Sequence, residues 1–568
     1  MSLSFLAAIV ILALTGGYFF YGRLVARQYA LDPDARVPSV EKNDGIDFVP
    51  TKPFYLFSQH FSAIAAAGPI VGPIAACLVF GWLPCLLWIV VGVIFIGSVH
   101  DFSALVASVR HGAFSIAEIA KENLGRRAWL SLIAFIWLAL VYVITAFADV
   151  TASTFVGKTE ELAGEFAFNP GGAVAAASTM YLLLALVMGL VQRKWNPSIT
   201  LLTVIFVPAT LGVVWLGTKI STVLLFDVET WRYWILGYCI VASLLPIWLL
   251  QQSRGYLGGF VLYLALAAGV IGIFFGGFEI QQPAFKAFSG PKFEELLFPF
   301  LFVTIACGAC SGFHGLVCGG TTSKQIEKET HCEPVGYGAM LLEGFVAVIA
   351  LATIMIVPPG ELAGKGPGKI YGDGIAKFLT VILGKDAFVF AATFGAMAFS
   401  TFIFDTLDVA TRLGRYLLQE LSGKTGLVSG ALATVVTAGS PLLLFSATGE
   451  GGWKKVWVLF GSSNQLLATL TLLVVTVWLY RNGKRYWYTL IPMLFVLGVT
   501  GTSLSLHVRA AFQEIAAKGF ALSDVVINGA AALILLALAG VFVFEGARAV
   551  LLRREAQDIP APTPSGAV

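Results

Sequence analysis

Hydrophobic residues recur along most of the chain in blocks of about 20, the length a helix rising 1.5 Å per residue needs to cross a bilayer. The pattern predicts about fifteen transmembrane helices. The first eight lie at 3–22, 58–80, 83–108, 128–150, 173–191, 198–217, 233–252 and 256–277. The others lie at 295–318, 336–357, 386–410, 426–446, 455–480, 486–506 and 524–547. Residues 373–384 (DGIAKFLTVILG) read as a short re-entrant or interfacial helix. The tail 551–568, Pro-rich and polar, is expected to be disordered and cytoplasmic.

Two blocks are interrupted. In HFSAIAAAGPIVGPIAACLVFGW, His60 to Trp82, the pairs Gly68-Pro69 and Gly72-Pro73 fall near the middle. Proline has no amide proton and its ring clashes with the preceding turn. Backbone groups freed inside hydrocarbon are costly unless something satisfies them. The second interruption is FVTIACGACSGFHGLVCGGTTSKQ, Phe302 to Gln325. It combines Gly308, Gly312, Gly315, Gly319 and Gly320 with Ser311, His314, Thr321 and Thr322.

Most of the 36 basic residues gather in alternate loops, Arg23, Arg110, Arg126, Arg193, Arg254, Lys324, Arg412, Arg481 and Arg548 among them. The positive-inside rule places those loops in the cytoplasm, with the N-terminus outside and the C-terminus inside. The two broken spans then run in opposite directions. Broken helices of opposite sense in two halves point to an inverted-repeat secondary transporter with its site near the membrane midplane. Glycine and proline also serve where membrane helices merely kink or pack closely, so that reading stays open.

Composition narrows the class. Hydrophobic residues make up 58% and charged residues 12%, with mean hydropathy +0.84; soluble domains carry about twice that charged fraction. The chain is therefore an all-α polytopic membrane protein. A net charge of +3 is too small to suggest a nucleic-acid partner. The first span lacks the basic start and small-residue cleavage site of a secretory signal, and reads as a retained helix. Seven cysteines, mostly in apolar segments, argue against a disulfide framework.

Ionisable residues within spans mark candidate chemistry. His100 and Asp101 lie toward the end of the third span, where Asp101 fits a proton or cation site or a simple pair with Arg110. Asp405 and Asp408 share one helix face, as two carboxylates of a proton relay would, but Arg412 and Arg415 on that face also fit an ion-pair ladder. Glu343 is a weaker candidate. His60 and His314 flank or occupy the breaks and suit substrate binding or proton carriage; capping loose backbone is the plainer alternative. Asn464 and Gln465 place amides in an apolar span, as an ion site or an interhelical hydrogen bond. Cys307, Cys310, His314 and Cys318 have spacing that one helix face could offer a metal, a weak signal in so small-residue a stretch. No metal or other cofactor is expected, beyond H⁺ or Na⁺ as the coupling ion.

Several stretches together resemble the carbon starvation protein A (CstA) family of bacterial transporters. They are NDGIDFVPTKPFYLF, HFSAIAAAGPIVGP, GVIFIGSVHDF, ACGACSGFHGLVCGGTTSKQ, FDTLDVATRLGRY and FGSSNQLLATL, in family order over most of residues 15–485. The resemblance implies a LeuT-like inverted-repeat core and ion-driven uptake of short peptides or pyruvate under carbon starvation. Gln59 stands where the family usually has a second histidine, Ala66 replaces a usual glycine, and Cys310 and Cys318 replace small or apolar residues.

The resulting expectation is a symporter of the bacterial inner membrane, not an enzyme, with a small-molecule substrate. Its substrate site would comprise His60, Gly68, Pro69, Gly72, Pro73, Gly308, Ser311, Gly312, His314 and Gly315. Its ion site would draw on Asp101, His100, Asp405, Asp408 and Asn464. Residues 1–57 form a first helix and loop, 58–217 the first repeat, 218–294 intervening helices, 295–480 the second repeat and 481–550 peripheral helices. The alternatives are a nutrient sensor on a transporter scaffold, or a Na⁺-coupled symporter of another small carboxylate or amino acid. A sensor would call for a sizeable soluble signalling domain; an enzyme or ATP-driven pump would call for a nucleophile–base pair or a Walker loop.

Overall fold

The computed structural model describes residues 2–551 apart from 45–47, 159, 163–165, 247, 291–294, 425 and 450. Beyond Leu551 the predicted tail lies outside the described residues. The fold is helical throughout, save for a small antiparallel hairpin of Glu160–Leu162 with Phe166–Phe168. The first half contains α1 (Leu3–Tyr29), α2 (Pro53–Ile64), α3 (Gly68–Phe80), α4 (Trp82–Arg110) and α5 (Ile116–Leu124). It continues with α6 (Arg126–Thr154), α7 (Pro170–Trp195), α8 (Ile199–Lys219), α9 (Val228–Leu244) and α10 (Gln251–Phe275). The second half contains α11 (Leu297–Thr304), α12 (Gly312–Val317), α13 (Glu329–Met355), α14 (Pro367–Leu383) and α15 (Phe388–Ser422). It closes with α16 (Leu427–Thr448), α17 (Trp453–Arg481), α18 (Trp487–Lys518) and α19 (Asp524–Leu551).

Local chemistry sets many of the helix starts. Asn169, Ser198 and Asp227 each accept a backbone amide from the first turn of α7, α8 and α9, and Ser115 with Glu118 forms a reciprocal capping box at α5. Among the described residues, twelve helices are long and apolar enough to cross a membrane, or thirteen if α2 and α3 count as one bent span. The other two predicted spans differ from expectation. The block at 233–252 forms α9, only 17 residues long, and the block at 295–318 is divided between α11 and α12. The short helix predicted at 373–384 starts earlier, as α14, because Pro367 supplies a ready first turn.

The centre of the bundle is α17, whose most apolar stretch is wholly buried. It packs against α6, α4, α11, α12, α18 and α19. By contrast, α1 and α8 lie at the periphery and expose large apolar side chains such as Leu12, Phe20 and Val204, as a lipid-facing surface requires.

Both broken spans are present, and the first break sits earlier than expected. The chain leaves helical geometry at residues 65–67, and the Gly68-Pro69 pair opens α3, which bends 45° from α2. Pro69 lacks the amide that would reach the Ala65 carbonyl and its ring would strike it, so the helix opens one turn upstream. Pro73 is carried inside α3. The second break spans residues 305–311, so that Gly308 lies in it while Gly312 and Gly315 begin α12.

The two breaks press against each other. A side chain on Gly68 would collide with Cys307, and a Cβ on Gly72 would come within 2.6 Å of the Thr304 carbonyl oxygen. On the other side of the second break, Gly461 of α17 abuts the Val303 carbonyl. Replacing Gly461 with valine is therefore expected to destabilise the protein by about 1–3 kcal/mol through overpacking. Thermal unfolding in detergent measures this, with Gly498→Ala as control because a Cβ there meets nothing within 4 Å.

Candidate functional site

Neighbouring helices satisfy much of the backbone freed at the second break. The Trp88 indole of α4 donates to the Phe302 and Ile305 carbonyls, each at 3.1 Å. From α17, Trp457 donates to the Thr304 carbonyl at 3.2 Å and Gln465 to that of Phe302 at 3.0 Å. Asn464 spans the far side. Its Oδ1 accepts the Phe313 amide at 3.0 Å, and its Nδ2 donates to Ser311 Oγ at 3.0 Å and Cys307 Sγ at 3.3 Å. These amides and indoles hold an unwound segment in place without charge.

The first turn of α12 presents His314 to two carboxylates. His314 Nδ1 lies 2.8 Å from Asp101 Oδ2 on α4, and its Nε2 lies 3.2 Å from Glu343 Oε2 on α13. The other Asp101 oxygen meets His100 Nδ1 at 2.7 Å. All four side chains are buried, with relative exposures of 0–1%. A neutral imidazole carries one N–H, so a ring bridging two carboxylates holds both contacts only when a further proton is present, on the ring or on an acid. Among the described residues, no lysine or arginine pairs with Asp101 or Glu343.

His60 of α2 joins from the other broken span. Its Nδ1 lies 2.9 Å from Thr322 Oγ1, and its buried Nε2 has no hydrogen-bond partner among the described residues. It lies within electrostatic reach of Asp101 and His314. Thus His60, His100, Asp101 and His314 converge on the crossing of the breaks. Glu343 joins them more intimately than its place in the sequence suggested.

Two expected arrangements are replaced. Arg110 does not pair with Asp101: its guanidinium binds Glu329 at 2.6 Å and the Tyr29 carbonyl at 2.8 Å. Asp405 and Asp408 of α15 lie outside the histidine cluster. Both bind Arg254 at 2.5 Å, and Asp408 also accepts from the Tyr238 hydroxyl at 3.0 Å. Arg254, counted as a loop cation in the charge pattern, is wholly buried in the first turn of α10. Nor do Arg412 and Arg415 form the ladder, because they donate to carbonyls of Ala242, Ser243 and Leu245 at the end of α9. A further buried pair, Asp149 with Arg232 at 2.6 Å, ties α6 to α9, and Asp149 also caps the Trp453 amide of α17.

Cys307, Cys310 and Cys318 are free and buried. Among the described residues, no three His, Cys, Asp or Glu side chains are grouped to hold a metal ion. Cys307 instead fills the close contact between Gly68 and Asn464 of α17, and Cys318 Sγ approaches the Asp101 carbonyl at 3.5 Å. The capping indoles, Thr322, Arg254 and the Asp149–Arg232 pair escaped sequence reasoning. Only Arg232 and Asp149, as charges inside apolar blocks, left a signal that could have been followed.

The family profile described as "Carbon starvation protein CstA" matches residues 2–364 and 361–503. The chain is 30% identical to the pyruvate/proton symporter BtsT of Escherichia coli (strain K12), over 86% of this chain and 79% of that one. It is 32% identical to the peptide transporter CstA of Helicobacter pylori (strain ATCC 700392 / 26695), over 85% and 79%. Against the peptide transporter CstA of Bacillus subtilis (strain 168) it is 31% identical over 94% of both. A solved manganese transporter of Eremococcus coleocola superposes with a TM-score of 0.42 at 11% identity, covering 88% of this chain and 95% of that one.

Replacing Arg254 with leucine is expected to strand two buried carboxylates and destabilise the protein by about 3–5 kcal/mol. Adding Asp405→Asn and Asp408→Asn to that variant should recover most of the loss. Thermal unfolding in detergent checks both, and an unchanged melting temperature in the single variant would contradict the pairing.

Proposed function

The chain belongs to the carbon starvation protein CstA family, and on that premise we propose that it is a proton-coupled symporter importing pyruvate or short peptides across the bacterial inner membrane. The observation that carries this reading is His314, set by the second break between Asp101 and Glu343, neither of which pairs with a lysine or arginine among the described residues. Imidazole and carboxylate are side chains that can take up and release a proton, as proton coupling requires. A proton is also the coupling ion named for the Escherichia coli relative.

In this reading the tight contact between the breaks is the closed state of the pathway. Substrate reaches the histidines when the segments around Gly68 and Cys307 part. Residues 58–217 and 295–480 act as two repeats of a LeuT-like core, with 1–57, 218–294 and 481–550 around it and the N-terminus outside. The backbone of Gly308, Ser311 and Gly312, buried in the closed state, is uncovered by that parting and with the imidazoles of His60 and His314 receives the substrate's carboxylate. A cleft of about 280 Å³ lined by Lys42, Phe48, Lys324, Gly319 and Gly320 opens beside the segment that carries Thr322, the partner of His60. Its lysines favour an anion at that mouth of the pathway.

Carrying a proton with a carboxylate anion lowers the charge that must cross hydrocarbon, where an uncompensated ion is costly. At one proton per turnover, pyruvate moves as a neutral pair, whereas a zwitterionic peptide moves with one net positive charge. The Asp405–Arg254–Asp408 group stabilises the scaffold in this scheme, and Asn464 holds the break.

Proteoliposomes test the proposal. An inward pH gradient should drive accumulation of pyruvate or dipeptide, and an imposed membrane potential should accelerate the peptide but not pyruvate. His314→Gln should abolish uphill accumulation. Accumulation of neither substrate under a pH gradient would refute the proposal.

A further inference from the structure

At one end of the bundle, away from the histidine cluster, three membrane-crossing helices bring four arginines around a cleft of about 200 Å³. Arg126 and Arg127 begin α6, Arg481 ends α17, and Arg548 lies one turn from the end of α19. Against these four cations stands one carboxylate, the buried Glu545. It lies 3.9 Å from Arg127 Nη1 and 3.6 Å from Arg548 Nη1, and Arg481 donates to the Ala549 carbonyl at 3.3 Å. Among the described residues that line the cleft, Arg126, Arg127 and Arg548 alone outnumber that one carboxylate. Arg127 and Arg548 remain open, with 78% and 49% of their side chains exposed.

A guanidinium offers a planar fork of donors matched to phosphate oxygens. Because the cleft lies at the ends of crossing helices, its mouth is at the depth of lipid headgroups. The surface below it is apolar. Ile534, Val541 and Phe544 are exposed on α19, and the spacing 534, 541, 544, 548 places them on the same helix face as Arg548. Charge above and an exposed apolar track below are the two halves of a phospholipid.

We propose that this cleft binds the phosphate of an anionic phospholipid, whose acyl chain runs along the outer face of α19. The bound headgroup neutralises the arginine surplus and ties the ends of α6, α17 and α19 together. Because α17 carries the Asn464, Gln465 and Trp457 contacts to the second break, the lipid braces the helix on which the broken segment rests.

The test uses the full-length protein, delipidated in neutral detergent and titrated with phosphatidylglycerol, phosphatidylcholine or inorganic phosphate. Lipid retained per protein is read by native mass spectrometry, and unfolding temperature is read in parallel. Phosphatidylglycerol alone should bind and stabilise. The double variant Arg127→Gln/Arg548→Gln should bind it about 30-fold more weakly, the loss expected for two cations at a headgroup surface. Because the two substitutions also remove the arginine partners of the buried Glu545, the rise in unfolding temperature on adding phosphatidylglycerol is compared within each protein, and it should be smaller in the variant. Equal retention of phosphatidylglycerol by parent and variant would overturn the proposal, as would equal stabilisation by phosphatidylcholine or by inorganic phosphate.

Discussion

A helix opened inside hydrocarbon has amides and carbonyls that water cannot reach, so the protein itself must supply their partners. Here the partners are uncharged and come from two neighbouring spans. Trp88 on one side and Trp457, Asn464 and Gln465 on the other hold the segment between α11 and α12. Their rigidity fixes the start of α12, and with it the place of His314. The histidine therefore meets Asp101 and Glu343 because the backbone before it is pinned.

The buried charges of this protein fall into two kinds. Asp149 with Arg232, and Asp405 and Asp408 with Arg254, are each built on a guanidinium, which does not release its proton. They lie between α6, α9, α10 and α15 and bind scaffold helices to one another. The group around His314 has imidazoles in place of guanidiniums. In the proposed cycle the guanidinium pairs hold the scaffold while the group between the breaks exchanges protons. A membrane protein gains little from the hydrophobic effect between helices, so such polar ties and close glycine contacts carry much of its specificity.

Much of this was legible in the sequence. Hydrophobic block length revealed the spans, because a bilayer imposes one length on every crossing. Glycine and proline revealed the two breaks, although Pro69 acts on the carbonyl four residues before it and so moves the opening to residues 65–67. Histidines and acids inside apolar blocks revealed His60, His100, Asp101 and His314. Partner choice was not legible. Arg254 looks like a loop cation because two apolar blocks flank it, yet it is buried against Asp405 and Asp408, more than 150 residues away. In the same way, Trp88 and Trp457 are indistinguishable from lipid-anchoring tryptophans until the fold places them over broken backbone.

The central claim is that the cluster of His60, His100, Asp101, His314 and Glu343 gains a proton when substrate binds. Proton uptake can be read directly from purified protein in weakly buffered detergent solution with a pH-indicating dye. On adding saturating pyruvate or dipeptide near neutral pH, the account predicts net uptake of protons by the parent protein and none by Asp101→Asn. Substrate binding with no proton uptake in the parent, or with equal uptake in the Asp101→Asn variant, would contradict it.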